Sequence, residues 1–225
     1  MLSVIIPSRN AANALSCLRA IRQHNPHDCR LYVIDDGLSN LDQIAIHYEQ
    51  AAILPGQRPF IYARNCNIGI AMAGSDDCVL LNDDALLNTP GGFTAMQRAS
   101  EEHPEYGIIT ATTNVTGYPD QQRRGLIGLR ATDTAAFVCV LIPRRTIDLV
   151  GLLDERFIAY GGEDVDYCRR VRRAGLKVGV FDGCFVDHAS LTSTFRGPRA
   201  GNTAPGNIAE GLRLLAEKWK DDPRP

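Results

Sequence analysis

The tripeptide Asn82-Asp83-Asp84 follows directly on the apolar run Cys78-Val79-Leu80-Leu81. Carboxylates at the end of a strand are hard oxygen ligands on a rigid support, which suits a divalent cation carrying a phosphorylated ligand. A second constellation, Tyr160-Gly161-Gly162-Glu163-Asp164-Val165-Asp166-Tyr167, places three acids behind two glycines. They open a helical pattern that continues through Arg173 and stops at Gly175. Carboxylates in a first helical turn ordinarily act as caps. Three of them beside two glycines, after the aromatic stretch Phe157 to Tyr160, also suit a general base held on a rigid element. A nearby diphosphate would raise the pKa of such a group toward usefulness.

Two further segments share the design of the first. Leu2-Ser3-Val4-Ile5-Ile6 ends in Pro7-Ser8-Arg9-Asn10, and Leu31-Tyr32-Val33-Ile34 ends in Asp35-Asp36-Gly37. The runs are short, apolar and rich in β-branched residues, and an amphipathic helix from Ala14 to Gln23 separates the first two. This is the grammar of a βαβ unit. In an open parallel sheet, ligands bind at the carboxyl ends of the strands where the chain order reverses, so the three polar ends should meet around one ligand. Taken singly, Asp35-Asp36-Gly37 reads equally as a turn and Asn82-Asp83-Asp84 as a helix cap. Their common placement favours a shared site.

Composition sets the frame. The chain has 225 residues, 44% of them hydrophobic, enough for one domain with a full core. No apolar stretch approaches the roughly 20 residues needed to cross a bilayer, and Met1 leads straight into a strand, so a cytoplasmic protein is expected. Seven dispersed cysteines with no CxxC pair fit reduced core thiols better than disulfides or zinc. The net charge of -2 combines an acid excess over residues 1–112 with a basic excess over 113–225, and it offers no broad footprint for nucleic acid. The doublets Arg123-Arg124, Arg144-Arg145 and Arg169-Arg170 either receive an anionic acceptor or solvate a surface. Solvation suits Arg169 to Arg173, because Val165, Cys168 and Val171 recur on another side of the helix. Thr113 to Gly128 and Ser190 to Asn207 read as loops, the second leading into a final helix, Ile208 to Lys220. Arg196 and Arg199 suggest a lid over a diphosphate.

In chain order, Ser3-Val4-Ile5-Ile6-Pro7, Val33-Ile34-Asp35-Asp36-Gly37, Arg64-Asn65-Cys66-Asn67-Ile68-Gly69, Leu81-Asn82-Asp83-Asp84 and Gly162-Glu163-Asp164-Val165-Asp166 with His188 form a series. It resembles the signature of family 2 glycosyltransferases from Ser3 to about Ser190, and Phe157 to Asp166 resembles rhamnosyltransferase-like members. The resemblance implies an α/β GT-A fold, a single domain with a Rossmann-like, mostly parallel central sheet flanked by helices. Residues 1–112 would form the nucleotide-sugar-binding half, 113–188 the acceptor-binding and catalytic half, and 189–225 the lid loop and C-terminal helix.

The resemblance also implies an activity: inverting transfer of a sugar from a nucleoside diphosphate, a UDP-sugar, with Mn2+ or Mg2+. Pro7, Ser8 and Arg9 would line the nucleotide pocket, Asp35 would accept from the base N3–H, and Arg64, Asn67 and Gly69 would contact base, ribose and phosphate. Asp84 would hold the metal with His188 as second ligand, and Asp83 would lie near the ribose or sugar. Asn82 stands where a fuller motif has an acid, so donor phosphates would complete the metal's coordination. Asp164 would be the catalytic base with Glu163 beside it on the acceptor side. A saccharide is the favoured acceptor, with a modified nucleic-acid base or a protein as alternatives. A non-catalytic nucleotide-sugar binder is the other class, although it has little use for Asp164. A nucleotidyltransferase would favour a glycine- and lysine-bearing phosphate loop, which Pro7 to Ala12 lacks.

Overall fold

The computed structural model of the chain describes residues 1–25, 29–38, 44, 50–122, 125, 128–158, 161–191 and 205–222, with side chains left aside for 205–208. The strands are β1 (Leu2–Ser8), β2 (Cys29–Asp35), β3 (Ala51–Pro55), β4 (Asp77–Leu81), β5 (Leu86–Leu87), β6 (Tyr106–Thr113), β7 (Leu129–Thr132), β8 (Cys139–Ile142) and β9 (Lys177–Asp187). The helices among these residues are α1 (Ala11–His24), α2 (Tyr62–Ala73), α3 (Gly92–Glu102), α4 (Arg144–Val150), α5 (Glu163–Arg173) and α6 (Pro205–Lys218).

All nine strands join one sheet in the order β3-β2-β1-β4-β8-β6-β9-β5, with β7 on β9. β1, β2, β3, β4, β6 and β9 run one way, and β5, β7 and β8 run the other. From β1 the chain passes outward to β2 and β3 and then returns to lay β4 on the other side of β1. That reversal between β1 and β4 opens a crevice at their carboxyl ends. The register fixes what meets there. Ser8 pairs with Asp35, and Ile5 with Leu80, so Asn82-Asp83-Asp84 leaves β4 level with the end of β1.

The continuous apolar runs are explained by helices on both faces of the sheet. Leu2, Val4 and Ile6 of β1 pack with Ala14, Leu18 and Ile21 of α1 on one face, while Ile5 packs with Cys66 and Ile70 of α2 on the other. Gly69 of α2 permits this approach: a Cβ there would lie 2.3 Å from Ile5 Cγ2. Alanine at that position would overpack the core at a cost of about 1–3 kcal/mol.

Local chemistry sets the helix ends. α1 starts at Ala11, earlier than the apolar pattern suggests, because the Asn10 side chain accepts from the Ala12 and Asn13 N–H groups at 3.1 and 3.3 Å. α5 begins at Glu163 after Gly162, which has φ 105° and would press any Cβ to within 2.9 Å of Phe157. The final helix begins at Pro205 and ends at Lys218, a frame shifted toward the N-terminus relative to the sequence expectation.

The arginines of the second half do more than solvate. Arg144 binds the Gly74 carbonyl and Asp148, and Arg145 binds Ser100 and the Tyr106 carbonyl. Arg170 pairs with Asp166, Arg172 with Asp133 and Arg173 with Asp222. These groups knit helices to their neighbours. Arg123 and Arg124 lie outside the described residues, as do Tyr160, Arg196, Arg199 and most of the expected lid. Among the described residues no helix is long and apolar enough to cross a membrane.

Candidate functional site

The Asn82-Asp83-Asp84 turn is held from three sides. The Ser8 hydroxyl donates to Asp83 Oδ2 at 2.6 Å, tying the end of β1 to the turn after β4. The Asn82 N–H donates to the Val138 carbonyl at 3.0 Å, next to β8. From α1, the Cys17 thiol reaches the carbonyls of Asp83 and Ala85 at 3.0 and 3.2 Å. Burial, then the charges of Asp83 and Asp84, push this thiol well up, so it stays an S–H donor. Sequence reasoning missed Cys17 because a cysteine on the apolar side of a helix reads as core.

Asp83 and Asp84 are each only 3% exposed. Asp84 faces His188, which follows β9: Nε2 lies 3.1 Å from Asp84 Oδ1, and Nδ1 lies 2.9 Å from the Val115 carbonyl. A carbonyl only accepts, so Nδ1 carries a proton. Nε2 therefore either bears a second proton, forming an ion pair, or points a lone pair toward a carboxylate. The second state pairs two acceptors and is satisfied by a cation between them. The donor set thus fits a divalent ion. Among the described residues no three His, Cys, Asp or Glu side chains converge, so Asp84 and His188 leave most of a coordination shell to a ligand's oxygens.

Beside this mouth lies the loop after β2. Pro7 is buried within β1, opposite Ile34. Asp35 closes its own loop, its Oδ1 accepting from the Gly37 and Leu38 N–H groups at 2.7 and 2.6 Å. Leu38 anchors that loop in the core. Asp36 is 3% exposed and neither of its oxygens has a hydrogen-bond partner among the described residues; Arg9 Nε stands 3.5 Å from Oδ2 and the Arg9 guanidinium lies over the Phe60 ring. Burial pushes the Asp36 carboxyl up, against the pull of Arg9 and Arg58. Asn65 accepts from the Gln57 N–H at 3.0 Å and keeps a buried Nδ2 with no hydrogen-bond partner among the described residues. Asp36 and Asn65 thus each keep buried polar atoms with no hydrogen-bond partner among the described residues, and each is one residue from an expected one.

The Arg64-Asn67-Gly69 set is not brought to the mouth as a unit. Arg64 Nε binds Glu155 at 3.3 Å. Asn67 gives its amide to the Leu153 carbonyl and Glu155 and accepts from the Leu153 N–H, clamping the 153–155 segment onto α2. Gly69 faces Ile5 in the core.

Glu163 and Asp164 open α5 as half-buried residues, yet Glu163 Oε2 is fully buried with no hydrogen-bond partner among the described residues. Burial, then the charge of Asp164, pushes Glu163 up. Burial raises Asp164 too, opposed by backbone N–H groups of which Val165 donates at 2.7 Å. Tyr118 lies within the influence of both charges, which add to burial in raising its phenol. It belongs to the same 114–118 segment that holds His188 through Asn114 and Val115. One loop therefore runs from the Asp84–His188 pair to the Glu163–Asp164 pair. Asp166, two residues on, is fully buried and accepts from Trp219, Lys218 and Arg170, a structural role.

The fold has relatives. The solved structure of GalNAc-T7 with UDP, GalNAc and Mn2+ is similar over 99% of this chain and 48% of that one, with TM-score 0.76 and 12% identity. S. aureus TarS 1-349 in complex with UDP-GlcNAc is similar over 100% of this chain and 68% of that one, with TM-score 0.71 and 13% identity. The fold is therefore GT-A. "Uncharacterized protein y4gI" of Sinorhizobium fredii (strain NBRC 101917 / NGR234) is 25% identical over 255 residues, covering 98% of this chain. The chain spans 28% of the length of that curated relative. A model described as "Glycosyl transferase family 2" matches residues 3–146, the stretch that carries β1, the Asp35 loop and the Asp84 turn. With the mouth of the sheet lying within a match over most of its length, the chain belongs to glycosyl transferase family 2.

Proposed function

We propose that the chain transfers a sugar, with inversion, from a nucleoside diphosphate donor, a UDP-sugar, to a saccharide acceptor. The observation that carries this reading is the pairing of Asp84 with a His188 whose proton is held at Nδ1, at the switch point of the sheet. Asp84 and His188 would hold Mn2+ or Mg2+ together with the donor diphosphate, and the ion would offset the negative charge that gathers on the leaving group. Ser8 keeps Asp83 oriented toward the donor side. Asp36, with Arg9 and Asn65 nearby, supplies the acceptors and donors that read the edge of a base, a role first expected of Asp35.

On the acceptor side, Asp164 takes the proton of the attacking hydroxyl as the oxygen closes on the anomeric carbon from the face opposite the diphosphate. A single displacement of that kind inverts the centre. The raised affinity of Asp164 for a proton brings it closer to the working pH, where a general base is most effective. Glu163, raised further through its buried oxygen, stays protonated beside it and spares the site a second charge.

The test is a panel of nucleotide sugars with Mn2+, read first as thermal shift and then as released nucleoside diphosphate. One donor, a UDP-sugar, should raise Tm and be turned over slowly even by water. A panel that neither shifts Tm nor yields diphosphate overturns the reading.

A further inference from the structure

β6 and β9 leave the sheet side by side. Thr113, the last residue of β6, is level with Val186, so Asn114 emerges beside Asp187 and His188. Its carboxamide uses both ends there. Nδ2 donates to Asp187 Oδ1 at 2.8 Å, and Oδ1 accepts from the His188 N–H at 2.8 Å. The two ends cannot be exchanged, because a backbone N–H needs an acceptor and an ionised carboxylate needs a donor. His188 returns the contact through its ring, Nδ1 donating to the Val115 carbonyl at 2.9 Å. The clasp is reciprocal: a side chain of the loop holds the backbone of residue 188, and the side chain of 188 holds the backbone of the loop.

Both partners in this clasp are anchored in their turn. Asp187 Oδ1 also accepts from the Ala189 and Ser190 N–H groups at 2.9 and 3.3 Å, and its Oδ2 accepts from the Ser190 hydroxyl. At the far end of the loop Gln121 is fully buried, its Nε2 donating to the Ala136 carbonyl at 2.9 Å and its Oε1 accepting from the Ala136 N–H at 3.0 Å. Arg130, paired with Asp182 at 2.8 Å, also donates to the carbonyls of Asp120 and Gln122. The 114–122 loop is thus fixed independently of His188, and Asn114 passes that fixity to the imidazole. A ring held at Nδ1 and through its own backbone turns Nε2 toward Asp84 Oδ1, 3.1 Å away.

We propose that Asn114 is a positioning residue for the metal–diphosphate site: by clasping the His188 N–H and setting the Val115 carbonyl against Nδ1, it aims the Nε2 lone pair at the ion. This rests on the reading of Asp84 and His188 as the metal's side-chain ligands. Partners that orient a ligand in this way are typically worth roughly 10–100-fold in metal affinity. Asn114 is exposed, and competition from water places its effect at the lower end of that range.

The test is a cycle of variants in the full chain, with Mn2+ titrated calorimetrically at saturating UDP. Asn114→Ala should weaken Mn2+ binding about 10-fold with little change in Tm, since the residue lies at the surface. His188→Ala should weaken it further, leaving Asp84 and the UDP phosphates to hold the ion. In the His188→Ala background, Asn114→Ala should cost no more than about twofold, because the residue acts through that ring. Normal Mn2+ affinity in Asn114→Ala beside weakened binding in His188→Ala overturns the proposal and leaves the metal site standing. An equal loss from Asn114→Ala in both backgrounds also overturns it, by showing an effect that does not pass through His188. Normal affinity in His188→Ala is a different failure: it removes the metal site itself, and the proposal with it.

Discussion

Asp84 and Asp166 are both almost fully buried carboxylates, 3% and 0% exposed, yet their surroundings differ in kind. Asp166 accepts from three donors whose charge or hydrogen is never in question: the Lys218 ammonium at 2.7 Å, the Arg170 guanidinium at 2.9 Å and the Trp219 indole at 3.0 Å. Asp84 faces a histidine whose second nitrogen can hold a proton, a lone pair or a metal. Full pairing makes a joint between helices; incomplete pairing at a strand end leaves room for chemistry. Glu163 and Asp164 fall with Asp84 in this contrast, since among the described residues no cation pairs with either.

The contrast can be broken most forcefully at Asp164. Asp164→Asn should lower kcat by about 10²- to 10⁴-fold while the donor Kd stays within about twofold, as expected for loss of a general base. In the unaltered protein kcat should rise with pH along a limb displaced above the ordinary carboxylate range, because Asp164 works deprotonated and its burial holds the proton longer. Weakened donor binding with intact kcat would move Asp164 to a binding role.

Asp166→Ala tests the other side. It strands the charges of Arg170 and Lys218 in a buried setting, so denaturant unfolding should show a loss of about 3–5 kcal/mol. Folded protein at low temperature should still bind donor with normal affinity. A mild loss of stability with abolished turnover would place Asp166 in the chemistry instead.

The smallest effect is expected at Glu163. Its folded pKa is raised, so its contribution to stability is fully present below the unfolded value of about 4.3 and is lost as pH rises through the folded one. Glu163→Gln removes that loss. Its Tm should exceed that of the parent by about 2–4 °C at alkaline pH, the shift expected for ~1 kcal/mol in a chain of this size, and the gap should close toward pH 4. A gap independent of pH would show that the parent carboxyl is not strained by ionisation.

The sheet and its mouth were legible in the sequence because three apolar runs ended in polar residues at matching places, and parallel strands place such ends side by side. Asp84 and His188 came from the order of motifs, and they meet. That Asp35 closes its own loop while Asp36 is buried beside Arg9 was not legible, because two adjacent residues at a strand exit point opposite ways and only the turn that follows decides which side chain caps it. The contacts of Asn67 were hidden for a related reason: an amide in a recognisable motif looks the same in sequence whether or not it also clamps the 153–155 backbone. The role of Asp166 was hidden by distance, since Trp219 lies 53 residues away in sequence.

The central claim is a metal–diphosphate site at the β1–β4 switch point, and calorimetric titration of Mn2+ into the protein with and without UDP tests it most directly. Asp84 and His188 alone should bind Mn2+ weakly, and UDP should tighten binding at least about 100-fold by completing the coordination shell. Asp84→Ala should abolish that gain, whereas Asp164→Asn should keep it. Equal Mn2+ affinity with and without UDP, or an Asp84→Ala variant that binds Mn2+ and UDP like its parent, would contradict the account.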